Sequence, residues 1–121
     1  MAPLSEREWA VLNVLWNTGG AALGELVELL RPETGWSRNT VLTYLTRMES
    51  KDLVIIDKER SPHLYRAALD RAACQARERR SFLQRVYQGS AGDLVAAFLK
   101  EGSLSPQERE TLRRLLDEME V

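Results

Sequence analysis

Residues 36–51, Trp-Ser-Arg-Asn-Thr-Val-Leu-Thr-Tyr-Leu-Thr-Arg-Met-Glu-Ser-Lys, gather the side chains best suited to grip a polar partner. Their spacing predicts one short helix with two unlike faces. Val41, Tyr44, Leu45 and Met48 share a side at helical spacing. At about 100° per residue, Asn39, Thr43, Thr46 and Ser50 fall opposite, with Arg47 beside them. Amides, hydroxyls and guanidinium groups are what reach base edges and phosphates in duplex DNA. Within residues 37–51, Arg38, Arg47 and Lys51 stand against Glu49 alone, a local positive excess. On a DNA-reading helix, Asn39 and Thr43 would approach base edges in the major groove. Arg47 would take a guanine or, further along, a phosphate, and Thr40, Thr46 and Ser50 would bond to the backbone. Leu42 flanks the polar face, where it either touches a thymine methyl or packs against a neighbouring helix. A solvated face on an ordinary helix accounts for the same residues, and the stretch alone does not separate the two.

Other chemistries find little material. The chain has one His and one Cys, and it has neither a Gly-rich phosphate loop nor a nucleophile elbow. No catalytic residue, metal site or cofactor is expected. His63 has no second ligand at metal spacing and reads as a strand-surface or structural residue. A single cysteine, Cys74, rules out an intrachain disulfide and reads as a small buried or half-buried apolar side chain. The carboxylates sit at spacings explained by helix capping and solvation. The formal charge of −1 over 121 residues gives no overall basic footprint, so any nucleic-acid signal must be local. Met-Ala-Pro-Leu-Ser offers no basic and apolar leader, and no run approaches 18 apolar residues. The expectation is a soluble cytoplasmic protein with no membrane partner.

Further elements must position the polar helix. Ser5-Glu6-Arg7-Glu8 is a capping box, with Leu4 and Trp9 at hydrophobic-staple spacing. A helix should run from there to about Trp16 and stop at Asn17-Thr18-Gly19-Gly20. A second helix is expected over Leu23 to Leu30, burying Leu26, Leu29 and Leu30 and ended by Pro32. Ser37 caps the third. Leu53 to Lys58 is β-branched and reads as a strand. Glu59-Arg60-Ser61-Pro62 turns, and His63 to Ala67 returns, leaving Lys58 and Arg60 at the tip of a hairpin. Arg60 would contact phosphate or enter the minor groove. Trp9, Trp16 and Trp36 read as core aromatics.

Beyond Ala68 the composition changes. Asp70 caps a charged helix over Arg71 to Tyr87, whose arginines read as a solvated face, and Gly89 and Gly92 should break it. A short amphipathic helix follows over Asp93 to Lys100. Ser105-Pro106-Gln107-Glu108 is a second capping box, opening a last helix with Leu112, Leu115, Leu116 and Met119 at i, i+3, i+4, i+7. The fold class is therefore mainly α with a small β-hairpin. A winged helix-turn-helix domain would span residues 1–69, and a C-terminal helical dimerisation domain residues 70–121. The second part has no obvious core of its own. Phe82, Val86, Leu94, Phe98, Leu112, Leu115, Leu116 and Met119 need a partner, and a twofold copy is the simplest. The wing and the short turn between helices two and three favour DNA. The alternative is a winged-helix module whose polar face meets another protein, which the near-neutral charge accommodates.

The chain resembles the penicillinase-repressor (BlaI/MecI/CopY) family of bacterial transcriptional repressors, nearly end to end. The likeness rests on Leu4-Ser5-Glu6-Arg7-Glu8-Trp9, on Val14-Leu15-Trp16, and on Trp36-Ser37-Arg38-Asn39-Thr40-Val41 with Thr43, Leu45 and Arg47. The Leu64-Tyr65 strand and the C-terminal helices complete it. The resemblance implies a homodimer whose winged helices occupy a palindromic double-stranded operator and block transcription. It also implies a sensor-activated protease as a partner, because members in antibiotic-resistance systems are inactivated by proteolysis in the dimerisation domain. The scissile bond there commonly joins Asn to Phe. The matching pair here is Ala97-Phe98, which keeps the Phe and lacks the Asn. Copper-responsive members carry a C-terminal cysteine cluster, and the tail Asp117-Glu118-Met119-Glu120-Val121 has none. Many members also carry a basic residue where Leu42 stands, which implies a different operator preference.

Overall fold

The computed structural model describes residues 3–119. Met1 and Ala2, where the leader expectation begins, and Glu120 and Val121, which end the cysteine-free tail, lie outside them. The chain forms two compact units, Met1–Ala76 and Arg77–Val121.

The first unit opens on the capping box. The Ser5 amide donates to Glu8 Oε1 (2.9 Å), and the Glu8 amide donates to Ser5 Oγ (3.1 Å). These bonds satisfy amides that an α-helix leaves unpaired at its start. Helix α1, Glu6–Thr18, buries Ala10, Val11, Leu12 and Leu15 and ends at Gly19 in a left-handed conformation. It runs past Trp16 because the Thr18 hydroxyl bonds back to the Val14 carbonyl (2.9 Å). Helix α2, Leu23–Thr34, contains Pro32 and does not end there. Thr34 Oγ1 donates to Leu30 O and the Gly35 amide to Arg31 O, so the last turn closes around the proline and left-handed Gly35 is the stop. Leu26, Val27 and Leu30 are its buried residues, whereas Leu29, expected inside, is 45% exposed. Val27 draws the buried arc to one side, leaving Leu29 roughly 100° from its centre. Helix α3, Arg38–Ser50, buries Val41, Leu45 and Met48.

Strands β1, Val54–Asp57, and β2, Leu64–Ala67, pair antiparallel with Val54 opposite Ala67 and Asp57 opposite Leu64. Ala21 adds a one-residue bridge to β2: its amide donates to Tyr65 O (2.9 Å), and the Tyr65 amide donates to Ala21 O (2.8 Å). A Cβ on Gly20 would lie 3.4 Å from the Tyr65 carbonyl oxygen, and Gly20 has φ +127°. That φ favours glycine there, whereas the contact to the carbonyl oxygen would be an ordinary one. The core joins all these pieces, with Val11, Leu12, Leu26, Val41 and Leu45 fully buried. Each such side chain contributes about 1.5–3 kcal/mol through removal from water.

The tryptophans border this core and do not fill it. Trp16 and Trp36 are half-buried against it, and half-buried Trp9 meets Trp16 at 5.9 Å between ring centroids. An indole carries an N–H that needs a partner, and Trp16 Nε1 donates to Leu69 O (2.9 Å). The Arg71 guanidinium lies 5.3 Å over the Trp16 ring and donates to Asn17 Oδ1 (2.7 Å). Arg71 therefore fastens the start of helix α4, Arg71–Tyr87, to α1. Asp70 caps α4 by accepting from the Ala73 amide (3.1 Å), and Cys74 is buried within it.

The second unit holds the rest of α4, then α5, Ala91–Glu101, and α6, Pro106–Met119. Ser90 caps α5 through the Asp93 amide, so Gly92 lies in its first turn and does not break the chain there. The second capping box forms as expected, between Ser105 and Glu108 at 3.0 and 3.1 Å. Among the described residues no helix is long and apolar enough to cross a membrane.

Candidate nucleic-acid interface

Ser37 sets the direction of α3. Its hydroxyl accepts from the Thr40 amide (3.2 Å) and lies 3.1 Å from Thr40 Oγ1. Arg38, Asn39, Leu42, Thr43, Thr46 and Arg47 are exposed, and Thr40 is half-buried. Thr43 Oγ1 donates to the Asn39 carbonyl (2.9 Å) and Ser50 Oγ to the Arg47 carbonyl (2.7 Å). Both hydroxyl oxygens keep lone pairs for an incoming donor. The Asn39 amide and the Thr46 hydroxyl have no hydrogen-bond partner among the described residues.

Two side-chain contacts from α1 hold this helix. Arg7 Nη1 donates to Tyr44 Oη (3.1 Å), and the Tyr44 ring stacks on Trp36 at 4.4 Å with planes 3° apart. Tyr44, expected on the buried side, is therefore half-buried at its edge. Stacking and the hydroxyl bond use both of its characters. Lys51 Nζ donates to Glu8 Oε2 (3.1 Å) just past the end of α3. Lys51 therefore does not add to the free charge of the polar face. Lys58, in the turn between β1 and β2, likewise pairs with Glu49 at 3.8 Å. Arg38, Arg47 and Arg60 have no ion-pair partner among the described residues. Arg60 is exposed in the turn between β1 and β2. The sequence count of local charge missed both pairings, because each partner is brought in by the fold.

One further feature escaped the sequence. Ala22, before α2, gives no side-chain cap to that helix, and Arg38 approaches the same turn, 3.9 Å from where a Cβ on Gly24 would stand. An uncapped helix start beside a guanidinium is favourable to anions.

Glu8 is buried, and its carboxyl is held below the usual glutamate range. Desolvation pushes it up, but bonds from the Ser5 amide, from Lys51 and from the Ser5 hydroxyl outweigh that push. A depressed carboxylate contributes stability that is complete above the ordinary glutamate value and is lost as pH falls through the folded value. Glu8→Gln keeps an acceptor for the cap and removes the charge. It should cost about 1 kcal/mol at neutral pH, with Lys51 largely in water. In acid the difference between the two proteins should vanish. Urea unfolding at both pH values measures this, and a gap that persists in acid would show that charge is not the cause.

In the second unit, Phe82 (37%), Val86 (46%), Phe98 (48%), Leu115 (50%), Leu116 (61%) and Met119 (79%) are exposed, and Leu94 and Leu112 are half-buried. Val95 and Leu99, on the same amphipathic helix as Phe98, are exposed too and extend the apolar surface. Among the described residues from Arg77 onward none is buried. Ala97, half-buried, and Phe98 both lie inside α5. Among the described residues no group of His, Cys, Asp and Glu could hold a metal ion.

A family model described as penicillinase repressor matches residues 4–118. The methicillin resistance regulatory protein MecI of Staphylococcus aureus (strain N315) is 27% identical over 114 residues, covering 94% of this chain and 93% of MecI. The penicillinase repressor of Bacillus licheniformis is 29% identical over 115 residues, 95% of this chain and 90% of that protein. Among solved structures, Bordetella bronchiseptica BpsR, described for regulation of its DNA binding by 6-hydroxynicotinic acid, aligns with a TM-score of 0.48. It is 22% identical and covers 97% of this chain and 76% of BpsR.

Proposed function

The chain belongs to the penicillinase repressor family of DNA-binding transcriptional repressors, and we propose that it acts as a homodimer on a palindromic operator until an inducing signal releases it. Residues 1–69 form the DNA-reading domain and residues 70–121 the dimerisation domain. Each protomer lays α3 in a major groove, with Asn39 and Thr43 toward base edges. Arg38, Thr40, Thr46 and Arg47 secure the helix, and Arg60 brings the wing to the backbone. The observation that carries this reading is the sorting of charge. The cations beside α3, Lys51 and Lys58, are paired with carboxylates, while Arg38, Arg47 and Arg60 have no ion-pair partner among the described residues.

The exposed apolar side chains of α4, α5 and α6 support self-association, since a unit in which no described residue from Arg77 onward is buried gains little by standing alone. Phe82, Val86, Leu94, Phe98, Leu112, Leu115, Leu116 and Met119 line the interface. The protein works in the cytoplasm without a cofactor. Release by a sensor-activated protease would act at Ala97-Phe98, and that bond is within α5, so α5 must open locally before cleavage.

Sedimentation velocity and a gel shift on the promoter upstream of its own gene test this reading. The expected particle holds two 13.8 kDa chains, and the shift should weaken steeply as salt is raised. A monomer, or a shift indifferent to salt, would overturn it. Capture of a protein in place of DNA would favour the interaction-module alternative.

A further inference from the structure

Three large aliphatic side chains of the first unit are exposed to a similar degree: Leu29 (45%), Ile55 (41%) and Leu42 (39%). Isolated exposed apolar residues are ordinary on protein surfaces, so their neighbours must distinguish them. Leu29 has Glu25 and Glu33 one turn away on either side along α2, and two carboxylates repel phosphate. Ile55 stands on the hairpin opposite Arg66. Leu42 has Arg38 and Asn39 one turn before it and Thr46 one turn after it, all exposed on α3. It is an apolar group set among side chains that can reach DNA.

The base edges of the major groove carry one apolar group, the 5-methyl of thymine. Against any other edge, an aliphatic side chain would strip water from a donor or acceptor and return no hydrogen bond, which is unfavourable. We propose that Leu42 reads a thymine methyl in each half-site and thereby sets the base preferred at that position. The proposal rests on the DNA-reading role of α3.

The test begins with duplexes selected by the intact protein from a random-sequence pool. Deoxyuridine then replaces deoxythymidine at one position at a time, which removes the methyl and nothing else. The natural protein should lose about fourfold in affinity at one position per half-site, the worth of one buried methyl-sized group. Leu42→Ala should bind the two duplexes equally at that position and keep any losses found elsewhere. Leu42→Gln, which substitutes an amide, should move the preferred base away from thymine. If the natural protein ignores deoxyuridine everywhere, or if Leu42→Ala keeps the same loss at the same position, the proposal fails while DNA reading by α3 stands. If the pool yields no bound sequence, the DNA-reading role itself is overturned.

Discussion

Phe98→Asp should leave the protein monomeric and lower its affinity for a two-half-site operator by a factor on the order of 10²–10⁴. Phe98 is half exposed on α5, in a unit whose described residues include none that is buried. A carboxylate in an apolar contact loses its hydration without a partner, which is a large penalty. In the proposed dimer, once one winged helix is bound its mate finds the second half-site at a high effective concentration, and a monomer forfeits that gain. Affinity for a duplex carrying one half-site should stay unchanged, because the core around Leu12, Leu26 and Leu45 belongs to the first unit. Leu115→Asp on α6 should repeat the result. Sedimentation velocity together with binding to one-site and two-site duplexes measures both effects. A variant that still sediments as a dimer would move the interface away from α5.

Arg47→Ala should weaken operator binding on the order of tenfold per half-site, the value of a charge-assisted hydrogen bond. Arg47 lies in the third turn of α3, beyond Thr43 and Thr46, and has no ion-pair partner among the described residues. A phosphate contact is expected from that position. The slope of log affinity against log salt should then become shallower by about 0.9 per subunit, and selected and unrelated duplexes should weaken alike. A loss confined to the selected sequence would reassign Arg47 to a guanine edge. Unchanged binding at every salt concentration would count against α3 as the reading helix.

Features of the molecule that depend on near neighbours were legible in its sequence. The capping boxes at Ser5–Glu8 and Ser105–Glu108, and the caps at Ser37 and Asp70, are made within three residues and form as expected. The α3 stripe of Val41, Leu45 and Met48 followed from periodicity, and the hairpin from its β-branched and turn-forming residues. What escaped was decided at a distance. Ala21 pairs with Tyr65 through backbone alone, which no side chain advertises. Lys51 looked like free charge until the fold brought Glu8 to it across 43 positions. Leu29 has the right spacing for burial, but Val27 tilts the face that meets the core. Pro32 looked decisive, yet side-chain and backbone bonds to Leu30 and Arg31 close the final turn. The exposed side of α3 was readable as a set of residues. Which of its cations are spoken for was not.

The attachment of α3 to α1 at Tyr44 and Lys51 bears on the heat of recognition. A helix held at its middle by Arg7 and just past its C-terminal end by Glu8 does not have to be ordered when DNA arrives. Free energy that a folding transition would consume stays in the complex. The calorimetric signature should accordingly be that of surface leaving water, a modest negative heat-capacity change, without the larger one that accompanies folding on binding. Two neighbouring residues of the first helix should thereby set how much entropy the proposed reading of an operator gives up.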